Sequence, residues 1–382
     1  MSADLHQRLS RQLGQREAEG TRRRLSPAAP GLVDFSSNDY LGLSRHPAVL
    51  AAMRDAAGAA GSTGSRLLTG NSAATERLEN TLAAFHQAEA ALLFNSGYAA
   101  NLGFFSAVPR RGDTIFYDDA SHASVKDGIR ASHATAYRFR HNDVADLERR
   151  LSRATGAVFV AVEALYSMDG DQAPLRELAA LCRQRGLHLV VDEAHTNGLY
   201  GPRGEGLVVD QGLTEPVFAR IVTFGKALGS QGAAVLGSAV LRDFLINFSR
   251  PFIYTTALPP VATAALEAAY DVLPTLTAGR RHLFDLSDHL KSRLNAVPGL
   301  RVPTDSHVIH PVFLSAPTRN GSSILRALAT RAQTAGFDVR PIVAPTVPAG
   351  TERLRLIVHS YNTATEIDAL SKTLGVGMDL LG

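Results

Sequence analysis

Residues 187–195, which read LHLVVDEAH, carry the clearest indication of the fold. Five residues of strand character end directly at Asp192, and His195 follows three positions later. Three similar β-branched runs are Thr114–Tyr117, Val158–Val162 and Arg220–Thr223. Several of these runs are apolar on both faces, as in strands that helices cover on each side. Because helix-like stretches rich in Ala, Leu, Glu and Arg separate the runs, the sequence predicts a doubly wound, mostly parallel α/β domain.

The patterns divide the chain into three parts. The α/β alternation predicts a large domain over residues 45–281, preceded by an N-terminal helix and arm over residues 1–44. Leucines at helical spacing in this arm predict an amphipathic helix that packs on the larger body. These leucines are Leu5, Leu9 and Leu13.

A smaller α+β lobe is predicted over residues 282–382, after the polar Gly279-Arg280-Arg281. Its expected elements are a helix over 282–297, strands near 308–314 and 354–358, and a helix over 322–335. The two ends of the chain are expected to pack together in this lobe.

Composition excludes several classes of protein. The chain has 382 residues, of which 45% are hydrophobic and 20% charged, so we expect a folded protein with a sizeable core. No uncharged apolar run reaches the about 18 residues typical of a membrane-spanning helix, and a net charge of +3 is too even for nucleic acid to be the main partner. Cys182 is the single cysteine, which excludes intrachain disulfides and cysteine zinc cages, and we expect no metal. The N-terminus lacks the apolar core of a secretory signal, so the reducing cytoplasm is the expected location.

Two strand ends carry residues suited to cofactor chemistry, since ligands of open α/β sheets gather at the carboxyl ends of strands. Asp192 could hold a protonated heterocycle, bind a metal or orient a base, although an aspartate at a strand end is often only a helix cap. Lys226 lies between Gly225 and Ala227. Loss of hydration there would lower the pKa of its amine and expose it as a nucleophile, whereas the alternative is a surface lysine in a flexible turn. A Walker loop is rejected, because Arg220 stands where it needs glycine and Ala227 where it needs a hydroxyl.

Two further strand ends offer an anion site and a ring contact. Ser96-Gly97-Tyr98 precedes an Ala-rich helical stretch, and the N–H groups of a helix start can bind phosphate, with Gly97 allowing close approach. A plain helix start is the alternative. His122 follows a strand in a polar loop, where it could stack on a planar ring or carry protons, or be an ordinary surface histidine.

Pyridoxal phosphate (PLP) needs this combination of groups. It uses a lysine for a Schiff base and a carboxylate that keeps its pyridine nitrogen protonated. The helix start and Thr223 can hold its phosphate dianion.

Ten ordered blocks of the chain resemble the α-oxoamine synthases, a branch of the fold-type I PLP enzymes. The blocks are FSSNDYLGLSRHP, GSTGSRLLTGN, FNSGYAAN, SHAS, RFRHND, YSMDGDQAPL, VVDEAH, TFGKALGSQGAAVLGS, IYTTALPP and PTVPAGTERLRL. They cover nearly the whole chain, and the ordered set is far more specific than any one block. The resemblance implies a fold-type I architecture, PLP as cofactor and a homodimer.

The resemblance also implies roles for single residues. Lys226 resembles the Schiff-base lysine, Asp192 the partner of the pyridine nitrogen, and His195 a donor to the ring hydroxyl oxygen. His122 resembles the residue that stacks on the ring and meets the substrate. The other implied cofactor contacts are Gly97, Tyr98, Ser167 and Thr223, together with Thr255 and Thr256 in the neighbouring subunit's site.

Implied substrate contacts lie at both ends of the chain. Arg355 resembles the clamp on the amino acid carboxylate, because a planar guanidinium can bind both oxygens. Asn38 resembles a pocket residue and Thr346 a substrate contact. The cluster Arg22–Arg24, in particular Arg22 and Arg23, lies where the distal acyl carboxylate is expected, although a solvated surface is the alternative for this cluster.

The implied reaction is a decarboxylating condensation of L-alanine with a pimeloyl thioester, carried on CoA or acyl carrier protein, to give 8-amino-7-oxononanoate in biotin biosynthesis. A sibling synthase such as glycine C-acetyltransferase is the alternative, because siblings share most of the blocks. A transaminase, or a binding protein that kept the fold without activity, are further alternatives.

Overall fold

The computed structural model describes residues 2–25, 27, 30–316, 318, 320–344 and 346–381, so Pro345 of the PTVPAGTERLRL block lies outside the described residues. The helices are α1 (Ser2–Ala18), α2 (Pro47–Asp55), α3 (Ala73–Phe85), α4 (Gly97–Ala107), α5 (Ala123–Ala131), α6 (Val144–Arg150), α7 (Leu175–Arg185), α8 (Leu207–Asp210), α9 (Ala239–Phe248), α10 (Arg250–Ile253), α11 (Pro260–Val272), α12 (Thr277–Asn295), α13 (Gly321–Thr334) and α14 (Ala364–Leu381). The strands are β1 (Val33–Asp34), β2 (Ala90–Phe94), β3 (Thr114–Asp118), β4 (Thr135–Phe139), β5 (Val158–Glu163), β6 (His188–Asp192), β7 (Val217–Thr223), β8 (Ala233–Gly237), β9 (Leu300–Arg301), β10 (Ile309–Leu314), β11 (Phe337–Asp338), β12 (Arg340–Ile342) and β13 (Arg353–Ile357). Within these ranges, no helix is both long and apolar enough to cross a membrane.

The large sheet has seven strands in the order β2-β8-β7-β6-β5-β3-β4. Strand β8 runs antiparallel to both of its neighbours, and the other pairs are parallel. Both faces are buried, as β5 illustrates: Val160 and Val162 belong to one apolar core, and Phe159 and Ala161 to the other. The predicted doubly wound, mostly parallel sheet is therefore confirmed, and the carboxyl ends of β3, β5, β6 and β7 meet at one edge.

The small lobe contains a four-stranded antiparallel sheet in the order β12-β13-β10-β9. Its core combines leucines of α12, α13 and α14, among them Leu290, Leu328 and Leu374. Strand β1 pairs in parallel with β11, and Phe35 is buried in the same core, so the N-terminal arm joins the C-terminal lobe as expected. The domain boundaries stay a prediction; α12 begins at Thr277 and runs across the expected boundary at 281/282.

The N-terminal helix is present, but its leucines do not pack as predicted. Leu5, Leu9 and Leu13 are 50%, 49% and 47% exposed. The prediction that they pack on the larger body is wrong for the single chain. Helical spacing indicates an apolar face, but it does not say which surface covers that face.

Candidate active site

A cavity of about 430 Å³ lies at the carboxyl ends of the parallel strands. Nine of the predicted site residues line it: Asn38, Gly97, Tyr98, His122, Ser167, Asp192, His195, Thr223 and Lys226. Its lining also includes Asn101, Ser124 and Glu163, which the sequence analysis did not single out. The sheet brings these residues together because neighbouring parallel strands end at the same edge.

The Lys226 amine lies inside this cavity, beside a histidine. Its Nζ is 2.8 Å from Nε2 of His195. Burial lowers the pKa of Lys226 to about 8, although the charges of Asp192 and Glu163 act in the opposite direction. About a tenth of this amine is therefore neutral, and nucleophilic, at pH 7, and about half of it at pH 8.

His195 is held from both sides of its ring. Its Nδ1 lies 2.8 Å from the hydroxyl of Tyr40, a fully buried residue of the FSSNDYLGLSRHP block. Burial and the Lys226 charge lower the pKa of His195 well below its usual value, so the ring is neutral. Sequence reasoning missed Tyr40, because only the tertiary fold brings it to a histidine 155 residues away.

Asp192 is buried and oriented by two hydrogen bonds. Its Oδ1 accepts the backbone N–H of Ala194 at 2.9 Å, and its Oδ2 accepts from Nδ2 of Asn101 at 2.7 Å. Asn101 also donates to Ser124 Oγ, which lies 2.8 Å from Nδ1 of His122. The carboxylate thus takes part in a local turn and also lines the cavity, and it is not the helix cap named as the alternative, because the next helix, α8, begins only at Leu207.

Glu163 is a second buried carboxylate at this edge. It ends β5 as the register partner of Asp192, and its Oε1 accepts the backbone N–H of His122 at 2.5 Å. Burial, followed by the charge of Asp192, raises the pKa of Glu163 to about 8. The strand-end rule that selected Asp192 applies equally to Glu163, which directly follows the predicted strand Val158–Val162.

The start of α4 forms an anion cup with β7. The first N–H groups of a helix have no intrahelical partner, and Ser96 Oγ accepts only that of Ala99, so the N–H groups of Gly97 and Tyr98 can bind an anion. A Cβ on Gly97 would lie 2.5 Å from Cγ2 of Thr223. The backbone and Thr223 therefore approach each other as closely as glycine permits.

Arg355 supports the cavity from the small lobe. Its Nε donates to the carbonyl of Ser167 at 2.7 Å, and its Nη2 donates to Oδ1 of Asn38 at 3.1 Å. Both partners line the cavity. The guanidinium is thus fixed next to two lining residues, although Arg355 does not itself line the cavity.

The remaining predicted residues do not line this cavity. Thr255 and Thr256 lie beside Asn95, whose Nδ2 donates to the Thr256 carbonyl at 2.5 Å and lies 3.4 Å from the Thr255 hydroxyl. In the arginine cluster, Arg22 and Arg24 pair with Glu17 at 3.1 and 3.0 Å. Arg23 instead lies 3.4 Å from the hydroxyl of Thr346.

The sequence and fold match known proteins over nearly their full length. Residues 30–374 match the family model for aminotransferase class I and II. The 8-amino-7-oxononanoate synthase of Emericella nidulans is 42% identical over an alignment of 396 positions, and this alignment covers 97% of this chain and 95% of that protein.

Solved structures share the fold. A high-resolution structure of SPT with PLP has a TM-score of 0.87 and 31% identity, covering 92% of this chain and 88% of that chain. The 8-amino-7-oxononanoate synthase of Francisella tularensis has a TM-score of 0.78 and 26% identity, covering 92% of this chain and 99% of that chain. The expected fold-type I architecture is therefore confirmed. The chain belongs to the aminotransferase class I and II family and, within it, to the 8-amino-7-oxononanoate synthases.

Proposed function

We propose that this protein is a PLP-dependent acyltransferase that condenses L-alanine with a pimeloyl thioester, releasing thiol and carbon dioxide, to form 8-amino-7-oxononanoate for biotin biosynthesis. One observation carries the proposal: a buried amine, Lys226 Nζ, lies 2.8 Å from the neutral ring of His195 in a cavity that also holds Asp192 and the anion cup. The similarity to synthases of this name supports the choice of substrates.

The residues present fit PLP. The lowered pKa of Lys226 suits imine formation, and the carboxylate of Asp192 suits a protonated ring nitrogen. The first-turn N–H groups of Gly97 and Tyr98 suit a phosphate dianion. The SPT structure with PLP supports this assignment.

When bound, PLP supplies an aldehyde that forms an imine with an amine, and a pyridine ring that accepts the electron pair left at an α-carbon. Asp192 would hold the proton at the ring nitrogen, with Asn101 fixing the orientation of its carboxylate. Neutral His195 would donate to the ring hydroxyl oxygen, and His122 would stack on the ring.

The substrate would be held by side chains of both lobes. Arg355 would bind the alanine carboxylate, because a guanidinium offers two parallel donors to its two oxygens. The neutral Lys226 amine would then remove the proton from the alanine α-carbon. Ser167 and Asn38, which already contact Arg355, would set the position of this carboxylate.

The far end of the acyl chain would meet the arginine cluster. Arg23 and Thr346, 3.4 Å apart, are the pair we assign to the distal carboxylate. Arg22 and Arg24 already pair with Glu17, so Arg22 would attract the distal carboxylate at longer range and not contact it directly.

We further propose a cytoplasmic homodimer. Leu68 and Tyr254 are exposed apolar side chains, and the leucine face of α1 is half exposed, which favours a second subunit covering them. Thr255 and Thr256 would then reach the partner's cofactor. Light scattering should give a mass near 81 kDa, about twice the 40.7 kDa of one chain; a monomeric mass would contradict the homodimer.

A thioester panel tests the proposed reaction. The purified holoenzyme receives L-alanine, glycine or L-serine with pimeloyl-CoA, pimeloyl-acyl carrier protein or acetyl-CoA, and thiol release and product mass are measured. We expect release with L-alanine and at least one pimeloyl thioester, and a product with the mass of 8-amino-7-oxononanoate. Release with glycine and acetyl-CoA alone would instead identify a sibling synthase, and pyruvate formation from alanine would identify a transaminase.

The pH dependence of cofactor capture follows from the Lys226 pKa of about 8. Below this pH the amine is protonated and cannot attack an aldehyde, so the rate of imine formation by the cofactor-free protein should rise from pH 6 to about pH 9 and then level off. Stopped-flow absorbance after mixing with PLP measures this rate. In Glu163→Gln the midpoint should move slightly to lower pH, because Glu163, whose own pKa of about 8 leaves it partly ionised in this range, no longer raises the Lys226 pKa. A midpoint above pH 10 would show that the amine is solvated.

Crowding the anion cup should weaken PLP binding. In Gly97→Ala, the new Cβ meets Cγ2 of Thr223, and overpacking of this kind costs about 1–3 kcal/mol. Adding Thr223→Ser should restore binding, because serine keeps the hydroxyl and lacks Cγ2. PLP dissociation constants, measured by absorbance titration, check both variants. Equal affinity of Gly97→Ala and the native protein would place the phosphate elsewhere.

A further inference from the structure

Outside the cavity, His141 lies between two carboxylates. Its Nδ1 is 2.8 Å from Oδ1 of Asp118, and its Nε2 is 2.9 Å from Oδ2 of Asp171. An ionised carboxylate only accepts hydrogen bonds, so both ring nitrogens must carry a proton. Burial alone would lower the pKa of His141, but its hydrogen bonds to the two aspartates raise it to about 10.

Asp118 holds the loop that carries His122. It is fully buried at the end of β3, and its Oδ1 also accepts the backbone N–H of Ala120 at 2.8 Å. Its Oδ2 accepts the N–H of Asn142 at 2.9 Å. The turn from β3 into α5 is thus fixed two residues before His122.

Asp171 holds the loop that carries Ser167. Nδ2 of Asn142 donates to Asp171 Oδ2 at 2.7 Å and to the carbonyl of Gln172 at 3.1 Å. The ring of Tyr166 packs edge-on against His141, with the centroids 4.5 Å apart. Both His141 and Asn142, from the RFRHND block, therefore contact the β5–α7 loop.

The other side of the β5–α7 loop contacts the arginines of β13. Arg355 binds the carbonyl of Ser167 at 2.7 Å, and Nη1 of Arg353 binds the carbonyl of Met168 at 2.9 Å. Gly170, with φ of +74°, lies so close to the small lobe that a Cβ would be 2.0 Å from the Ile309 carbonyl oxygen. The loop is thus held between His141 on one side and the small lobe on the other.

The backbone of Asn142, the residue after His141, adopts a conformation that favours its contacts with Asp118 and Asp171. Asn142 has φ of +53°, in the left-handed region that residues other than glycine rarely occupy. Such conformations persist where surrounding contacts determine them, and they cluster near functional sites. Here the conformation lets the amide N–H of Asn142 reach Asp118 while its side chain reaches Asp171.

We propose that His141 is a positioning residue: its imidazolium joins the loop that carries His122 to the loop that carries Ser167, and through Ser167 it positions the Arg355 guanidinium. The proposal rests on the proposed function, because it assumes that Arg355 binds the amino acid carboxylate. His141 itself does not touch the substrate. Without its positive charge, Asp118 and Asp171 would repel each other and the two loops would separate.

Replacing His141 tests the proposal in the holoenzyme. In His141→Gln we expect the L-alanine dissociation constant, followed by the cofactor absorbance, to rise on the order of 10–100-fold, as small displacements of positioning groups do. Adding Asp171→Asn should recover part of this loss, because it removes the repulsion and keeps an acceptor for Asn142. His289→Gln is the matched control: His289 also pairs with an aspartate, Asp368, at 2.9 Å, but on α12 and α14. The His289→Gln variant should have the same L-alanine dissociation constant as the native protein.

Two further readouts separate this proposal from the proposed function. Nitrogen-15 NMR of the native protein should show both His141 nitrogens protonated at about pH 8, and a neutral ring would overturn the proposal even if His141→Gln fails to fold. Borohydride reduction in the presence of PLP should still attach the cofactor to Lys226 in His141→Gln. This result would show that the cofactor chemistry is intact while L-alanine binding is weakened. Unchanged L-alanine binding in His141→Gln, or a loss that Asp171→Asn does not relieve, would also overturn the positioning role. An unlabelled native protein would instead contradict the proposed function.

Discussion

Replacing Lys226 with alanine is expected to abolish both turnover and covalent capture of PLP. The variant lacks the amine that lies 2.8 Å from His195, and no other lysine lines the cavity among the described residues. Because the same amine would also move the substrate proton, kcat should fall by about 10⁴-fold or more, at the upper end for acid–base residues.

Borohydride reduction followed by peptide mapping measures the capture directly. The chain has only four lysines, at positions 126, 226, 291 and 372, so the label can be assigned without ambiguity. We expect it at Lys226 in the native protein and nowhere in Lys226→Ala. Lys372→Ala, at an exposed position on α14, is the control and should be labelled and active like the native protein. A label at another lysine, or turnover that survives in Lys226→Ala, would refute the proposed chemistry.

Replacing Asp192 with asparagine should slow catalysis without preventing PLP capture. The single oxygen of an asparagine can still accept the Ala194 N–H, and its NH₂ group can donate to Asn101 once the Asn101 amide turns over, but asparagine carries no negative charge to keep the ring nitrogen protonated. Loss of one preorganised electrostatic group costs about 10²–10³ in kcat, and we expect a decrease of that size. Asp192→Glu, which keeps the charge, should retain more activity than Asp192→Asn.

Steady-state kinetics and borohydride labelling together identify this effect. Asp192→Asn should be labelled at Lys226 and yet turn over slowly, which distinguishes it from Lys226→Ala. Asp210→Asn, an exposed carboxylate on the nearby α8, should leave kcat unchanged. If Asp192→Asn has the same kcat as the native protein, the role assigned to Asp192 is wrong.

Periodicity predicted the elements better than their ends. Each of the four runs proposed as strands forms one, although β7 begins at Val217, three residues before the predicted Arg220. The helix expected over 282–297 begins at Thr277. The polar Gly279-Arg280-Arg281 was interpreted as a boundary, but the guanidinium of Arg280 is buried and donates to the carbonyls of Leu273 and Pro202. These contacts stabilise Arg280 within α12, so the stretch that looked like a boundary in the sequence lies inside a helix.

The exposed face of α1 illustrates a second limit. Its leucine spacing predicted the helix correctly, but the surface expected to cover those leucines is not provided by the single chain. Within the site, Asn101 and Tyr40 were missed for a related reason. Their roles depend on contacts with residues on other strands and loops, which no local pattern records.

The sequence by itself determined the α/β class, the family and the residues with reactive groups, because strand and helix periods and the order of the ten blocks are properties of the chain. Only the tertiary structure decided which of those groups meet and in what protonation state. The lowered pKa of Lys226 and the raised pKa of Glu163 both follow from burial beside specific charges. Desolvation and Coulomb interactions act through space, so they depend on how strands 30 to 60 residues apart are brought to one edge of a sheet.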